Sequence, residues 1–110
     1  MKYYIFPIIL ALCLNVYGAT NEEICEAIYK SEGAELASKP YGILSVPCDS
    51  KESCKVICLN TIRNQRVRHA NHDCGLSYME CLAERYAPLE AHKLNSHWLG
   101  NVLYFLNKEK

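Results

Sequence analysis

The chain has 110 residues, of which 22% are charged and 50% are hydrophobic, which is the composition of a folded domain and not of a disordered segment. Its 12 Lys and Arg residues balance its 12 Asp and Glu residues, and this zero formal net charge argues against a general binder of polyanions or nucleic acid. The length allows one small domain. No sequence motif identifies a reaction.

The first 18 residues are typical of a secretory signal peptide. A lysine precedes an apolar run, and the small residues Val16 and Gly18 suit the −3 and −1 positions of a cleavage site. The run is shorter than the ~20 residues that a membrane-spanning helix needs, and Pro7 interrupts it. We therefore expect residues 1–18 to be removed and residues 19–110 to form one secreted, extracellular domain without a stable membrane anchor.

Six cysteines remain in the predicted mature domain, and an even number of cysteines in a short secreted chain indicates disulfides. A domain of this size buries little apolar surface, so cross-links would supply a large share of its stability. The lack of a C-x-x-C pair argues against a zinc site. We predict three disulfides among Cys25, Cys48, Cys54, Cys58, Cys74 and Cys81.

Helical periodicity begins directly after the predicted cleavage site. Thr20 and Glu23 form a capping box, and one face of the following segment is apolar apart from Glu32, which predicts a helix over 21–38. Pro40 ends this helix, because the residue before a proline is driven out of the helical region. The loop that follows contains apolar residues that could form a short extended segment.

Three further segments have helical spacing. The segment Asp49-Ser50-Lys51-Glu52 offers an N-cap for a second helix over 50–66, and Asp73 can cap a third helix over 74–86. The last segment, 95–106, also suits a helix, although its β-rich run leaves a strand open. We predict an all-α fold, a small disulfide-rich bundle of three to four short helices.

Helical geometry narrows the possible cysteine pairings. Two cysteines lie on one face of the second predicted helix, and two more lie two turns apart on the third. Antiparallel packing of these helices favours the pairs Cys25–Cys48, Cys54–Cys81 and Cys58–Cys74. A rival pairing also stays open, in which Cys25 joins a cysteine of the hairpin formed by the second and third helices and Cys48 joins Cys74 or Cys81.

Arg63, Arg66 and Arg68 form a local basic cluster at the end of the second predicted helix. A contact patch for an acidic receptor, a channel vestibule or a sulfated sugar would have this composition. The alternative is a solvated helix end, where cations interact favourably with the helix dipole. We take these three arginines as candidate binding residues.

His72 and Asp73 are similar to the His-Asp pair of secreted phospholipases A2, and this resemblance would imply calcium-dependent lipid hydrolysis. The chain has no glycine-rich calcium loop, however, and a polar turn in which Asp73 caps a helix is the simpler interpretation. His69 and His72 could ligate a metal, but no third ligand has the expected spacing. We expect no catalytic residue, no metal and no cofactor.

The apolar segment 98–106 has three alternative interpretations. It completes the core, it faces a membrane or a partner, or it forms one wall of an apolar cavity. The candidate lining residues of that cavity are Tyr29, Tyr78, Met79, Tyr86, Trp98, Tyr104 and Phe105.

The sequence predicts a monomeric, non-enzymatic, cysteine-rich effector, toxin-like or hormone-like, because a rigid cross-linked scaffold loses little entropy on binding. Its partner would be an extracellular receptor, channel or enzyme target, and not nucleic acid. The alternative function is a small extracellular carrier of an apolar ligand, and a less favoured one is a phospholipase-like hydrolase.

Overall fold

The computed structural model describes residues 18–43, 47–74 and 77–108, and within these ranges the chain is helical and contains no strand. This confirms the predicted all-α class and the helical form of the last segment. The predicted signal peptide, apart from Gly18, and the possible extended segment at 44–46 lie outside the described residues. The α-helices are α1 (Asn21–Ser31), α2 (Lys51–Ala70), α3 (Tyr78–Tyr86) and α4 (Trp98–Lys108), and short 3-10 helices lie at Ala34–Leu36, Pro40–Gly42 and Lys93–His97.

Side-chain caps determine where three of these helices begin. The Oγ1 atom of Thr20 accepts a hydrogen bond from the backbone N–H of Glu23 at 3.0 Å, which confirms the predicted capping box of α1. Ser50 caps α2, which begins one residue later than the predicted start at 50. The prediction that Asp73 caps the third helix is wrong, because Ser77 performs this role and α3 begins at the next residue.

The first helix is shorter than the predicted span 21–38 because Gly33 ends it. Gly33 has a φ of 107°, a left-handed conformation that glycine adopts without strain, and its N–H donates to the carbonyl oxygen of Lys30 at 3.2 Å. The chain then turns into the 3-10 helix Ala34–Leu36, which leaves Leu36 exposed.

The second helix is longer than the predicted span 50–66, and its end explains the place of Asp73. The turn after Ala70 is a Schellman motif with His72 in the left-handed region at φ 61°. The N–H of His72 donates to the carbonyl oxygen of His69 at 3.0 Å, and the N–H of Asp73 donates to that of Arg68 at 2.9 Å. Asp73 therefore closes α2 and does not start α3.

The core is built around α1, which packs mainly against α4 and also against α2. The third helix packs on α2 and contacts α4. The C-terminal helix thus completes the core, which was one of the interpretations of the segment 98–106. None of the helices in the described ranges is long and apolar enough to cross a membrane. Fully buried aliphatic residues include Ile24, Ile28, Ile62, Leu82, Val102 and Leu106.

Two disulfides lie within the described residues, Cys48–Cys54 and Cys74–Cys81, and they confirm a disulfide-bonded domain. Each links a helix to the loop that precedes it, with Cα atoms 5.3 Å apart in the first bridge and 5.8 Å apart in the second. The predicted pairing is therefore wrong in the partners it gave to these four cysteines. The rejected pairs are Cys25–Cys48, Cys54–Cys81 and Cys58–Cys74.

The positions of the helix starts explain this difference in pairing. Cys54 and Cys81 each lie four residues after a serine N-cap, Ser50 and Ser77 respectively. The sequence prediction placed Cys74 inside the third helix, where a rise of 1.5 Å per residue would hold it about 10 Å along the axis from Cys81. Because Cys74 lies instead in the bend before α3, the chain can bring it back to the first turn.

Candidate functional site

A surface cleft lies where the chain leaves α3 and turns towards α4. Pro88 follows the helix closely and cannot continue it, and its carbonyl oxygen accepts a hydrogen bond from Asn95 Nδ2 at 2.8 Å, which closes the loop beside α3. We call the space between α3 and this loop the α3 cleft, and its volume is about 320 Å³. Its lining residues are Glu80, Ala83, Glu84, Ala87, Pro88, Leu89, Glu90, Asn95, Ser96 and Leu99.

The α3 cleft combines an apolar lining with carboxylates. Alanine, proline and leucine side chains form the apolar part, in which Leu89 is 68% exposed. Three carboxylates, those of Glu80, Glu84 and Glu90, lie in the same lining. Arg68 neutralises part of their charge, because its Nη2 atom lies 3.0 Å from Glu84 Oε1. The arrangement favours a ligand that carries both a cation and an apolar surface.

A second group of polar and aromatic side chains lies in the core, where it holds neighbouring elements together. Trp98 Nε1 donates a hydrogen bond to Glu32 Oε2 at 2.9 Å. The ring of Tyr86 stacks on Trp98 with centroids 5.1 Å apart, and its hydroxyl donates to the carbonyl oxygen of Tyr41 at 2.6 Å. We call Glu32, Tyr41, Tyr86 and Trp98 the central cluster. It ties the end of α1 to α3, α4 and the 3-10 helix at Pro40–Gly42.

The carboxylate of Glu32 is partly withdrawn from water in this cluster. Burial raises its pKa above the ordinary value, and the hydrogen bond from Trp98 opposes that shift. A Cβ atom at Gly42, where φ is +67°, would lie 2.5 Å from the carboxyl carbon of Glu32, so any larger residue there would displace this carboxylate and be strained. The sequence contained a signal for this site, since Glu32 stands on the apolar stripe of the first predicted helix.

The side chain of Arg66 makes hydrogen bonds and an aromatic contact within the molecule. Its Nε atom donates to Asn21 Oδ1 at 2.6 Å, and its Nη2 atom donates to the carbonyl oxygen of Ala19 at 3.0 Å. Its guanidinium carbon also lies 4.5 Å from the centre of the Tyr78 ring, which is a cation–π distance. Arg66 therefore fastens the start of α1 to α2 and α3.

The other two candidate arginines point to different neighbours. Arg68 donates to Gln65 Oε1 at 2.6 Å and pairs with Glu84 beside the α3 cleft. Arg63 is exposed and donates to Asn60 Oδ1 at 2.7 Å. The three arginines have different partners within the molecule, and their contact with an extracellular protein stays a prediction, for which Arg63 has the most accessible charge.

Replacing Arg66 by methionine should lower the free energy of unfolding by about 1.5–3 kcal/mol, because hydrogen bonds from a charged, half-buried donor and a cation–π contact are lost. Urea denaturation followed by circular dichroism measures the effect. Arg63→Met is the matched control on the same helix and should change stability by less than about 0.5 kcal/mol. Equal losses in the two variants would contradict the role given to Arg66.

His72 and Asp73 have a structural explanation in the turn that ends α2. Both side chains are exposed, and no hydrogen bond joins them to each other in the part of the chain that the structure describes. Within the same ranges, no group of three or more His, Cys, Asp or Glu side chains could hold a metal ion. Among the described residues, none completes a three-ligand group with His69 and His72.

The aromatic residues proposed from the sequence as a cavity wall do not line the α3 cleft. Tyr29, Tyr78, Met79 and Trp98 are buried in the common core, whereas Tyr104 is largely exposed. Sequence reasoning missed the α3 cleft itself, and the nearest signal for it was Pro88, which marks the turn out of α3.

No protein-family model, curated protein or solved structure matches this chain. Its function is therefore argued from the α3 cleft and from the covalent structure of the domain.

Proposed function

We propose that this chain is a secreted, monomeric, non-enzymatic effector, toxin-like or hormone-like, that binds a basic and partly apolar segment of an extracellular protein in the α3 cleft. The observation that carries this proposal is the combination of three carboxylates with the exposed side chain of Leu89 in one cleft. A lysine or arginine of the partner would place its aliphatic stem on the apolar lining and its charge near the glutamates.

The dimensions of the cleft support such an occupant. A volume of about 320 Å³ accommodates a long basic side chain and part of an apolar neighbour. The cleft wall is anchored by the capped helix α3, by its disulfide and by the Asn95–Pro88 hydrogen bond, so little ordering is needed on binding.

Secretion is supported by the covalent structure together with the sequence. Disulfides form and persist in oxidising compartments, and two are present here. We include in the proposal that residues 1–18 direct export, that cleavage follows Gly18, and that the mature domain contains three disulfides. The mass of the protein collected from the medium of eukaryotic cells expressing the full chain tests the cleavage site.

The binding proposal is tested by titrating the secreted, isotope-labelled protein with a short synthetic peptide of lysine and leucine while recording amide shifts by NMR. We expect the shifts to concentrate at residues that line the α3 cleft. The double variant Leu89→Ser/Glu90→Lys should weaken the affinity about tenfold or more, which corresponds to about 1.4 kcal/mol.

The chain offers a matched control for that variant. Glu35 and Leu36 are an exposed acid–leucine pair outside the cleft, so Glu35→Lys/Leu36→Ser makes the same two residue changes and the same change of charge. The control should leave the affinity within about twofold of the original value. Equal weakening by both variants would mean general electrostatic attraction and would contradict the cleft.

A small extracellular carrier of an apolar ligand is the second candidate, favoured by the apolar part of the same cleft, whose volume of about 320 Å³ lies at the small end of ligand pockets. Native mass spectrometry of the secreted protein distinguishes the two functions. Added mass that denaturation removes would support a carrier, and a bare monomer would support the effector.

A further inference from the structure

Cys25 and Cys58 meet where α1 packs against α2. Both side chains are 0% exposed and both belong to the single core cluster. The two side chains adjoin in this helix contact, and each thiol is the largest influence on the pKa of the other. They are the two cysteines in the described ranges that are not in a disulfide.

The surroundings of these thiols belong to the central cluster. Tyr41, which is buried, and Tyr86, which is half-buried, lie beside the two thiols. The neighbouring Cys58 thiol lowers the pKa of Cys25, and the neighbouring Cys25 thiol, together with burial, raises the pKa of Cys58. The pair, held between α1 and α2, is thus also covered by side chains of α3 and of the 3-10 helix Pro40–Gly42.

We propose that Cys25 and Cys58 form a third disulfide, which joins α1 to α2 through the core. Each thiol loses one hydrogen, one S–S bond forms, and the two electrons pass to a disulfide oxidant R–S–S–R, which leaves as two R–SH molecules. The other four cysteines of the mature domain are already paired with each other, so no other cysteine competes for this pair.

Burial determines when this bond forms. No oxidant can reach side chains with 0% exposure once the core is packed, so oxidation precedes the final closure of α1 on α2. The same burial protects the bond from external thiols afterwards. Cys48 and Cys74 are partly exposed, and we expect a mild reductant to open their bridges before Cys25–Cys58.

The inference rests on the proposed export through an oxidising compartment, and the experiment tests the cysteine pairing separately from secretion. Full chain is expressed in secreting eukaryotic cells, the product is denatured, free thiols are alkylated, and the unreduced protein is digested with trypsin. The peptide that ends at Lys30 holds Cys25, and the peptide 56–63 holds Cys58. We expect mass spectrometry to find these two peptides linked, with peptide 31–51 linked to 52–55 and one internal bridge in 69–85.

Two results would overturn the proposal. One is alkylated Cys25 and Cys58 in protein that has both local bridges, and the other is a link between the Cys25 peptide and any peptide except 56–63. Retention of the chain inside the cells would contradict secretion alone. The same digest of that purified chain, carrying Cys13→Ser so that the peptide ending at Lys30 holds Cys25 alone, would decide the pairing after oxidation with glutathione disulfide.

Discussion

Replacing Cys25 and Cys58 together by alanine should lower the free energy of unfolding of the oxidised protein by about 4 kcal/mol. The two residues are 33 positions apart, so their bridge removes far more freedom from the unfolded chain than either local bridge, which spans 6 or 7 positions. Guanidinium denaturation at equilibrium measures the difference, and non-reducing mass spectrometry verifies that the remaining bridges are intact.

The matched control for this variant is Cys48→Ala/Cys54→Ala, which also removes two sulfur atoms and one bridge. The short loop predicts a loss of about 2.5 kcal/mol for this pair. A loss in the Cys25/Cys58 variant no larger than that in the control would show that the core pair does not cross-link the chain.

Replacing Trp98 by alanine should cost about 3–5 kcal/mol of stability, because a nearly buried aromatic ring leaves a cavity in the core. Its stacking on Tyr86 and its hydrogen bond to Glu32 are lost as well. Trp98→Phe separates these contributions, since it keeps a ring against Tyr86 but removes the N–H donor. We expect about 1.5–3 kcal/mol for this second variant at pH 7, measured by urea denaturation.

The effect of Trp98→Phe should depend on pH. Burial raises the native pKa of Glu32 above the ordinary value of 4.5, so ionisation of this carboxyl costs stability as pH rises through the native pKa. Removing the Trp98 donor raises that pKa further, and the loss should therefore shrink as pH falls to 4.5 and below. In a Glu32→Gln background this pH dependence should disappear. A loss that stays constant with pH would contradict the role given to Glu32.

Local signals in the sequence predicted the parts of the fold that depend on neighbouring residues. The capping box at Thr20, the capping segment before α2 and the four amphipathic segments were predicted correctly because each is stabilised within a few residues. The disulfide pairing was wrong because a shift of four residues in the start of α3 moves Cys74 from a helix face into a bend.

The candidate site could not be predicted in the same way. The α3 cleft exists because the loop after Pro88 folds back beside α3, and that arrangement depends on how α4 packs on α1. For the arginine cluster, the sequence showed the charge but not the contacts within the molecule. Arg66 donates hydrogen bonds to residues more than 40 positions away along the chain, and its guanidinium lies over an aromatic ring of the neighbouring helix.

The two local disulfides have a consequence for the order in which the chain folds. The first turn of a helix is its costly nucleus, because several residues must be ordered before the hydrogen bonds repay that loss. Each bridge joins the fourth residue after a serine cap to the chain just before the cap, and it thereby preorders this nucleus. The nine residues of α3 are too few for a stable isolated helix, so we expect the bridge at its start to favour its formation early in folding. Oxidative folding would then pass through an intermediate with both short bridges closed and two preformed helices, onto which α1 and α4 assemble.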